Sequence, residues 1–211
     1  MNRPPRSAAF TLIEMITVIA IIVILTGLIL SINGLVQRKS ATSRAEAEIR
    51  TLAAACESYK TDNGGYPQDA TLTDQLIPQQ TTSPGTGGYA QASLFLYKAL
   101  SGDTQATGQP NSLTAKNYAS DFFKPSRLGV STNVSLGQPK YVLYIMDPFG
   151  NSYGYSTAGL YNEQQFRAAL TTPNGASTAS RTPNSGYNIT FDLWSTGGST
   201  GSNTSTWIKN W

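Results

Sequence analysis

The sequence predicts an α+β chain: one long N-terminal helix, its first half transmembrane and its second half packed on a small antiparallel β-sheet. Three observations predict it. A helical signal runs from about Phe10 to Lys60 and stops at Asn63-Gly64-Gly65, residues that tolerate a left-handed cap. The second half of that helix carries Ala45, Ile49, Leu52, Ala53, Cys56 and Tyr59 at spacings of three and four, an apolar stripe that needs a covering layer. Late in the chain, Tyr141-Val142-Leu143-Tyr144-Ile145-Met146 is rich in β-formers, and Ile189, Phe191 and Leu193 alternate with Asn188, Thr190 and Asp192, the pattern of a half-buried strand.

The elements follow in order. Residues 1–9 form a short basic leader in which Pro4-Pro5 holds off the helix. Residues 10–36 are apolar, with Glu14 the one charge; about twenty residues from Met15 to Val36 suffice to cross a bilayer at roughly 1.5 Å per residue. A carboxylate at the edge of such a helix calls for a partner. Residues 37–66 continue the helix, with Arg44, Glu48, Arg50 and Glu57 mostly off the apolar stripe and Arg44–Glu48 spaced as an i,i+4 ion pair. Residues 67–211 form the globular domain. Within it, Gln91 to Leu100 reads as a helix between loops at 83–88 and 108–112. Asp147-Pro148-Phe149-Gly150-Asn151 is a turn after the 141–146 strand, and Ser152 to Ser156 is expected to return as its hairpin partner. Glu163 to Leu170 suits a short helix, and Thr171 to Gly186 a Pro/Ser/Thr-rich loop.

Composition excludes whole classes of chemistry. The 211 residues include no histidine and one cysteine, Cys56. Ser-His-Asp and Cys-His nucleophile systems are therefore absent, as are a nitrogen-and-sulfur zinc site and an internal disulfide. Charged residues make up 13% of the chain and the net charge is +3, with both signs scattered after residue 60, so no nucleic-acid partner is expected. No phosphate loop or paired-carboxylate motif is present, and the chain is not expected to be an enzyme. Cys56 lies on the apolar stripe and suits core packing.

The N-terminus is not a simple signal peptide. The apolar run is longer than the usual 7–15 residues or so, and no small-residue cleavage site precedes Gln37-Arg38-Lys39. Charge alone does not orient it as an exported anchor: Arg3 and Arg6 precede the run, but Arg38, Lys39, Arg44 and Arg50 follow, which favours a cytoplasmic C-terminal side. Arg38, Lys39 and Arg44 form a basic collar suited to anionic headgroups.

Phe10-Thr11-Leu12-Ile13-Glu14, with a basic leader before it and a long apolar helix after it, resembles the N-terminus of type IV pilin-like proteins, including the pseudopilins of type II secretion. Further on, Leu52, Ala55 and Tyr59, then Asp62-Asn63-Gly64-Gly65-Tyr66-Pro67, are similar to the helix end of the major pseudopilin. So are Asp147-Pro148-Phe149-Gly150-Asn151 with Tyr153, and the ending from Tyr187 to Trp211. Residues from about 70 to 140 match nothing in that family and read as an insertion.

The resemblance implies a processing and assembly pathway. A prepilin peptidase would cut between Ala9 and Phe10 and methylate the Phe10 amine. Glu14 would then pair with the Phe10 ammonium of a neighbouring subunit as helices pack into a filament. Partners would be further copies of the chain, other pseudopilins, the inner-membrane assembly platform and membrane lipid. The leader would be cytoplasmic and the C-terminal domain periplasmic. The sequence departs from the family in two places. Ala9 stands where the family prefers Gly, and the segment before the last Trp lacks the aspartates with which major pseudopilins hold calcium. Asp192, Ser195 and Asn203 are the oxygen donors left for a calcium ion, a weak set, with Asp192 expected on the polar face of its strand. Two other readings stay open: a type IV pilin for adhesion, motility or DNA uptake, and a membrane-anchored monomeric binding domain.

Overall fold

A computed structural model describes residues 10–78, 87–109, 115–131, 141–172, 180–182, 185–199 and 204–211, with backbone only at 28–33. The chain divides into two compact units, Met1–Ser40 and Ala41–Trp211.

Helix α1 runs from Leu12 to Asn63, 52 residues, as its unbroken periodicity predicts. In the first unit its described side chains from Leu12 to Gly27 are exposed and apolar apart from Glu14 and the threonines. Among the described residues, no helix is long and apolar enough to cross a membrane. The side chains of 28–33, in the middle of the apolar run, lie outside them.

The second unit is built on the other part of α1. Ile49, Leu52, Ala55 and Cys56 are buried in the main core. The helix stops at Gly64, whose φ of 78° is open to glycine and whose N–H donates to the Lys60 carbonyl at 2.8 Å. The stop is braced from outside by Asn63 Nδ2, which donates to the Tyr118 hydroxyl at 3.0 Å, and by an ion pair between Lys116 and Asp62.

After α1 come α2 (Gly87–Ser101), β1 (Leu128–Val130), β2 (Val142–Ile145), β3 (Gly154–Ser156), α3 (Ala158–Thr171), β4 (Asp192–Ser195) and β5 (Ile208–Lys209). Strands β1 and β2 form one antiparallel pair; β3, β4 and β5 form a second antiparallel sheet in that spatial order. The architecture is α+β, a helix packed on small antiparallel sheets, as expected. The 70–140 segment contributes to the same core: Leu96, Tyr97 and Leu100 of α2 and Phe122 lie beside the α1 residues. A smaller aromatic cluster gathers Tyr89, Trp194 and Trp207, with Trp211 packed against it.

Four expectations are corrected. The 152–156 segment returns as the hairpin partner only at its start, where Ser152 bridges Met146 and the Tyr153 N–H donates to the Ile145 carbonyl at 2.9 Å. Past the bridge between Met146 and Ser152, β3 turns to pair with β4, while β2 pairs with β1. The late strand is Asp192–Ser195, and all four of its residues are buried. It is not half-exposed because α2 and the C-terminal segment cover what alternation leaves for solvent: Tyr89 packs edge-on to Trp194, and Trp207 stacks on Trp194 at 5.6 Å between centroids. Asp192 is therefore buried rather than on a polar face. Finally, Glu48 does not sit off the apolar stripe; it faces inward at 5% exposure, drawn there by a tyrosine hydroxyl from the β-layer.

Candidate functional site

The N-terminal motif adopts a defined local geometry. Thr11 precedes the first helical residue, where its hydroxyl accepts from the Glu14 N–H at 3.3 Å. Glu14 Oε2 in turn accepts from the Thr11 N–H at 2.8 Å and the Thr11 hydroxyl at 2.7 Å. This is a reciprocal capping box, which satisfies donors that the first helical turn leaves unpaired. Its Thr-x-x-Glu signature is legible in residues 11–14, yet a reading centred on the charge passes over it. Phe10 lies one residue before the cap and is 75% exposed. Ala9, the other side of the expected cut, lies outside the described residues.

In the single chain the Glu14 carboxylate is held by Thr11.

The C-terminal candidates separate. Asp192 accepts from the Tyr187 N–H at 2.8 Å through Oδ2 and the Asn188 N–H at 2.9 Å through Oδ1. Burial raises its carboxyl above the ordinary range, against the pull of those two N–H groups. Ser195, three residues on, donates instead to Asp147 Oδ2 at 2.5 Å and accepts from the Gly197 N–H at 3.1 Å. Asn203 lies outside the described residues. The structure thus brings Asp192 and Ser195 to different partners. Among the described residues no group of three or more acidic, cysteine or histidine side chains is placed to hold a metal ion.

Asp147 is the residue that ties this region together. Its Oδ1 accepts from the Phe149 N–H at 3.0 Å and the Asn151 N–H at 2.8 Å, closing the turn read in the sequence, with Gly150 at a φ of 88°. Its Oδ2 reaches Ser195 in β4. Burial raises its carboxyl, and the Ser195 hydroxyl is the main opposing influence. The turn was legible; the tie to Ser195, 48 residues away, carries no local signal. Cys56 is buried and its thiol is pushed up by burial, the condition of an inert core residue.

A family profile described as the prokaryotic N-terminal methylation motif matches residues 4–30. No curated protein and no solved structure matches the chain. The motif is the processing signal of type IV pilins and pseudopilins, and it implies a membrane-anchored precursor.

Proposed function

We propose that this chain is a structural subunit of a type II secretion pseudopilus, cut between Ala9 and Phe10 by a prepilin peptidase, methylated on the Phe10 amine and assembled through its N-terminal helix. The methylation motif over residues 4–30 carries this reading. The α+β architecture and the long α1 are in keeping with it. On this reading residues 10–36 sit in the inner membrane, the leader is cytoplasmic and the second unit is periplasmic. Glu14 leaves Thr11 and pairs with the Phe10 ammonium of the next copy, so that one charge pair sets the axial register of neighbouring helices. The Asp147-Pro148-Phe149-Gly150-Asn151 turn and the single cysteine favour a pseudopilin over a disulfide-closed adhesive pilin.

The test is intact-mass analysis of the full chain purified from membranes of a host with prepilin peptidase. The expected product begins at methylated Phe10. A product that retains Met1 in that host rejects the assignment.

A further inference from the structure

The last strand has a free edge, and a groove runs along it. In the second sheet the order is β3-β4-β5, so among the described residues β5 has a neighbour on one side only. Its register places Trp194 opposite Lys209 and Ser195 opposite Ile208. The Asn210 N–H donates to the Leu193 carbonyl at 3.1 Å. Antiparallel ladders alternate bonded and non-bonded pairs. The 193/210 pair is bonded, so the 194/209 pair is not, and the Lys209 N–H and C=O turn away from β4. Among the described residues neither group has a backbone bond outside the β4–β5 ladder. These two groups are the template that edge strands offer to an incoming strand.

Across from this edge stands α1. Thr42, Glu46, Ile49, Arg50 and Ala53, one face of the helix, line the far wall of a groove of about 820 Å³ whose near wall is residues 205–211. The helical stretch is about 17 Å long at roughly 1.5 Å per residue, room for about five residues of extended chain at roughly 3.3 Å each. Ala53 and Ile208, both half-buried, give the groove an apolar surface above the buried Ile49. The rim is mainly cationic: Arg50 and Lys209 against Glu46. Among the described residues Arg50 makes no salt bridge, and Lys209 lies over the Trp211 and Tyr187 rings rather than on an acid.

We propose that this groove is a strand-addition site for an extended peptide segment of another protein that carries an acidic residue. Its backbone extends the β3-β4-β5 sheet at Lys209, and its acid lies between Arg50 and Lys209. Affinity in such sites comes from main-chain hydrogen bonds and specificity from the flanking side chains. The outward main-chain groups of Lys209 supply the first, and Arg50 and Lys209, which make no salt bridge among the described residues, the second.

The test uses the full chain in detergent micelles and a blocked hexapeptide, Val-Thr-Val-Asp-Val-Thr, with binding read by tryptophan fluorescence. Saturable binding is expected, and Lys209→Pro should weaken it at least about tenfold, a change of about 1.4 kcal/mol. Proline at 209 removes the outward N–H together with the Lys209 ammonium and leaves the bonds to β4, so it takes away both contacts the site assigns to this edge position. Should Lys209→Pro lower the melting temperature sharply, Arg50→Glu decides instead: it should weaken the Asp peptide and favour one with Lys in that place. Equal binding by a folded Lys209→Pro chain, or no saturable binding, overturns the site. A dimer of the full chain that excludes the peptide also overturns it, in favour of a contact between copies. Each outcome can be read whatever the residue at which the processed chain begins.

Discussion

The Tyr153 hydroxyl donates a 2.8 Å hydrogen bond to Glu48 Oε2 across the seam between α1 and the β-layer. The other oxygen, Oε1, accepts no hydrogen bond; it faces Arg127 Nε at 3.5 Å and Arg44 Nη2 at 3.7 Å. Burial and then the Glu48 charge push the Tyr153 hydroxyl well above the ordinary phenol range, so it stays a donor. A buried acid with one bonded oxygen and two loosely paired guanidiniums fixes the helix on the sheet at a single depth.

Tyr153→Phe should therefore destabilise the second unit by about 1–3 kcal/mol, because it strands a second oxygen of a buried carboxylate. Urea unfolding of the full chain in detergent measures this. In a cycle with Glu48→Gln the two losses should fall short of additivity. A change below about 0.5 kcal/mol, the range of surface substitutions, would show that the bond does not hold the seam.

Gly154→Ala tests the second sheet. Gly154 pairs with Trp194 across β3 and β4, and a Cβ at 154 would run into the indole ring. Trp194 cannot retreat, since Trp207 is stacked on it and Tyr89 packs on its edge. The expected cost is about 1–3 kcal/mol from overpacking, with loss of near-ultraviolet circular dichroism from the stacked pair. An unchanged spectrum and melting point would contradict the packing described.

Acid stability should depend on Glu163. Arg181 and then Arg167 hold its carboxyl down to about 2 from an ordinary 4.5. A carboxyl lower in the folded than the unfolded state adds stability above the unfolded value, and that stability is lost as pH falls from about 4.5 through about 2. Glu163→Gln should flatten the fall in melting temperature over that window and leave the slope above pH 6 or so unchanged. Asp147 and Asp192 act in the opposite sense: their raised values favour the protonated fold, a contribution present below the unfolded value and lost as pH rises through the folded one. A wild-type slope in the Glu163→Gln chain would show that the two arginines do not hold the carboxylate.

At the N-terminus, Glu14→Leu should insert and be processed at Phe10 yet assemble poorly, read as filament yield in a host that supplies the remaining components. Thr11→Val removes the hydroxyl half of the cap, leaves the backbone N–H at 11 on Glu14 and leaves the charge for a neighbour, so filament yield should persist. Wild-type yield from Glu14→Leu would show that no charge pair is needed.

Much of the fold was legible because it is written in local periodicity. The span of α1, the Asn63-Gly64-Gly65 stop, the core position of Cys56 and the 147–151 turn each depend on residues within a few positions of one another. Strand pairing was legible only beside that turn, at 146/152 and 145/153. Nothing in Gly154 to Ser156 distinguishes β2 from β4 as its neighbour, since both present β-formers at the same period. Glu48 misled for a related reason: a charge spaced four from Arg44 reads as a surface pair until a tyrosine 105 residues away turns it inward.

The sequence by itself determined the N-terminal motif, the length of the helix and the absence of histidine chemistry, because each is a property of residue identity at fixed spacing. Only the tertiary structure decided that Asp192 and Ser195 serve different partners and that the Lys209 backbone turns away from β4 beside a groove. Those facts depend on which strands meet and in what register. Register is set by the burial of both faces at once, a condition that no single segment of the chain contains.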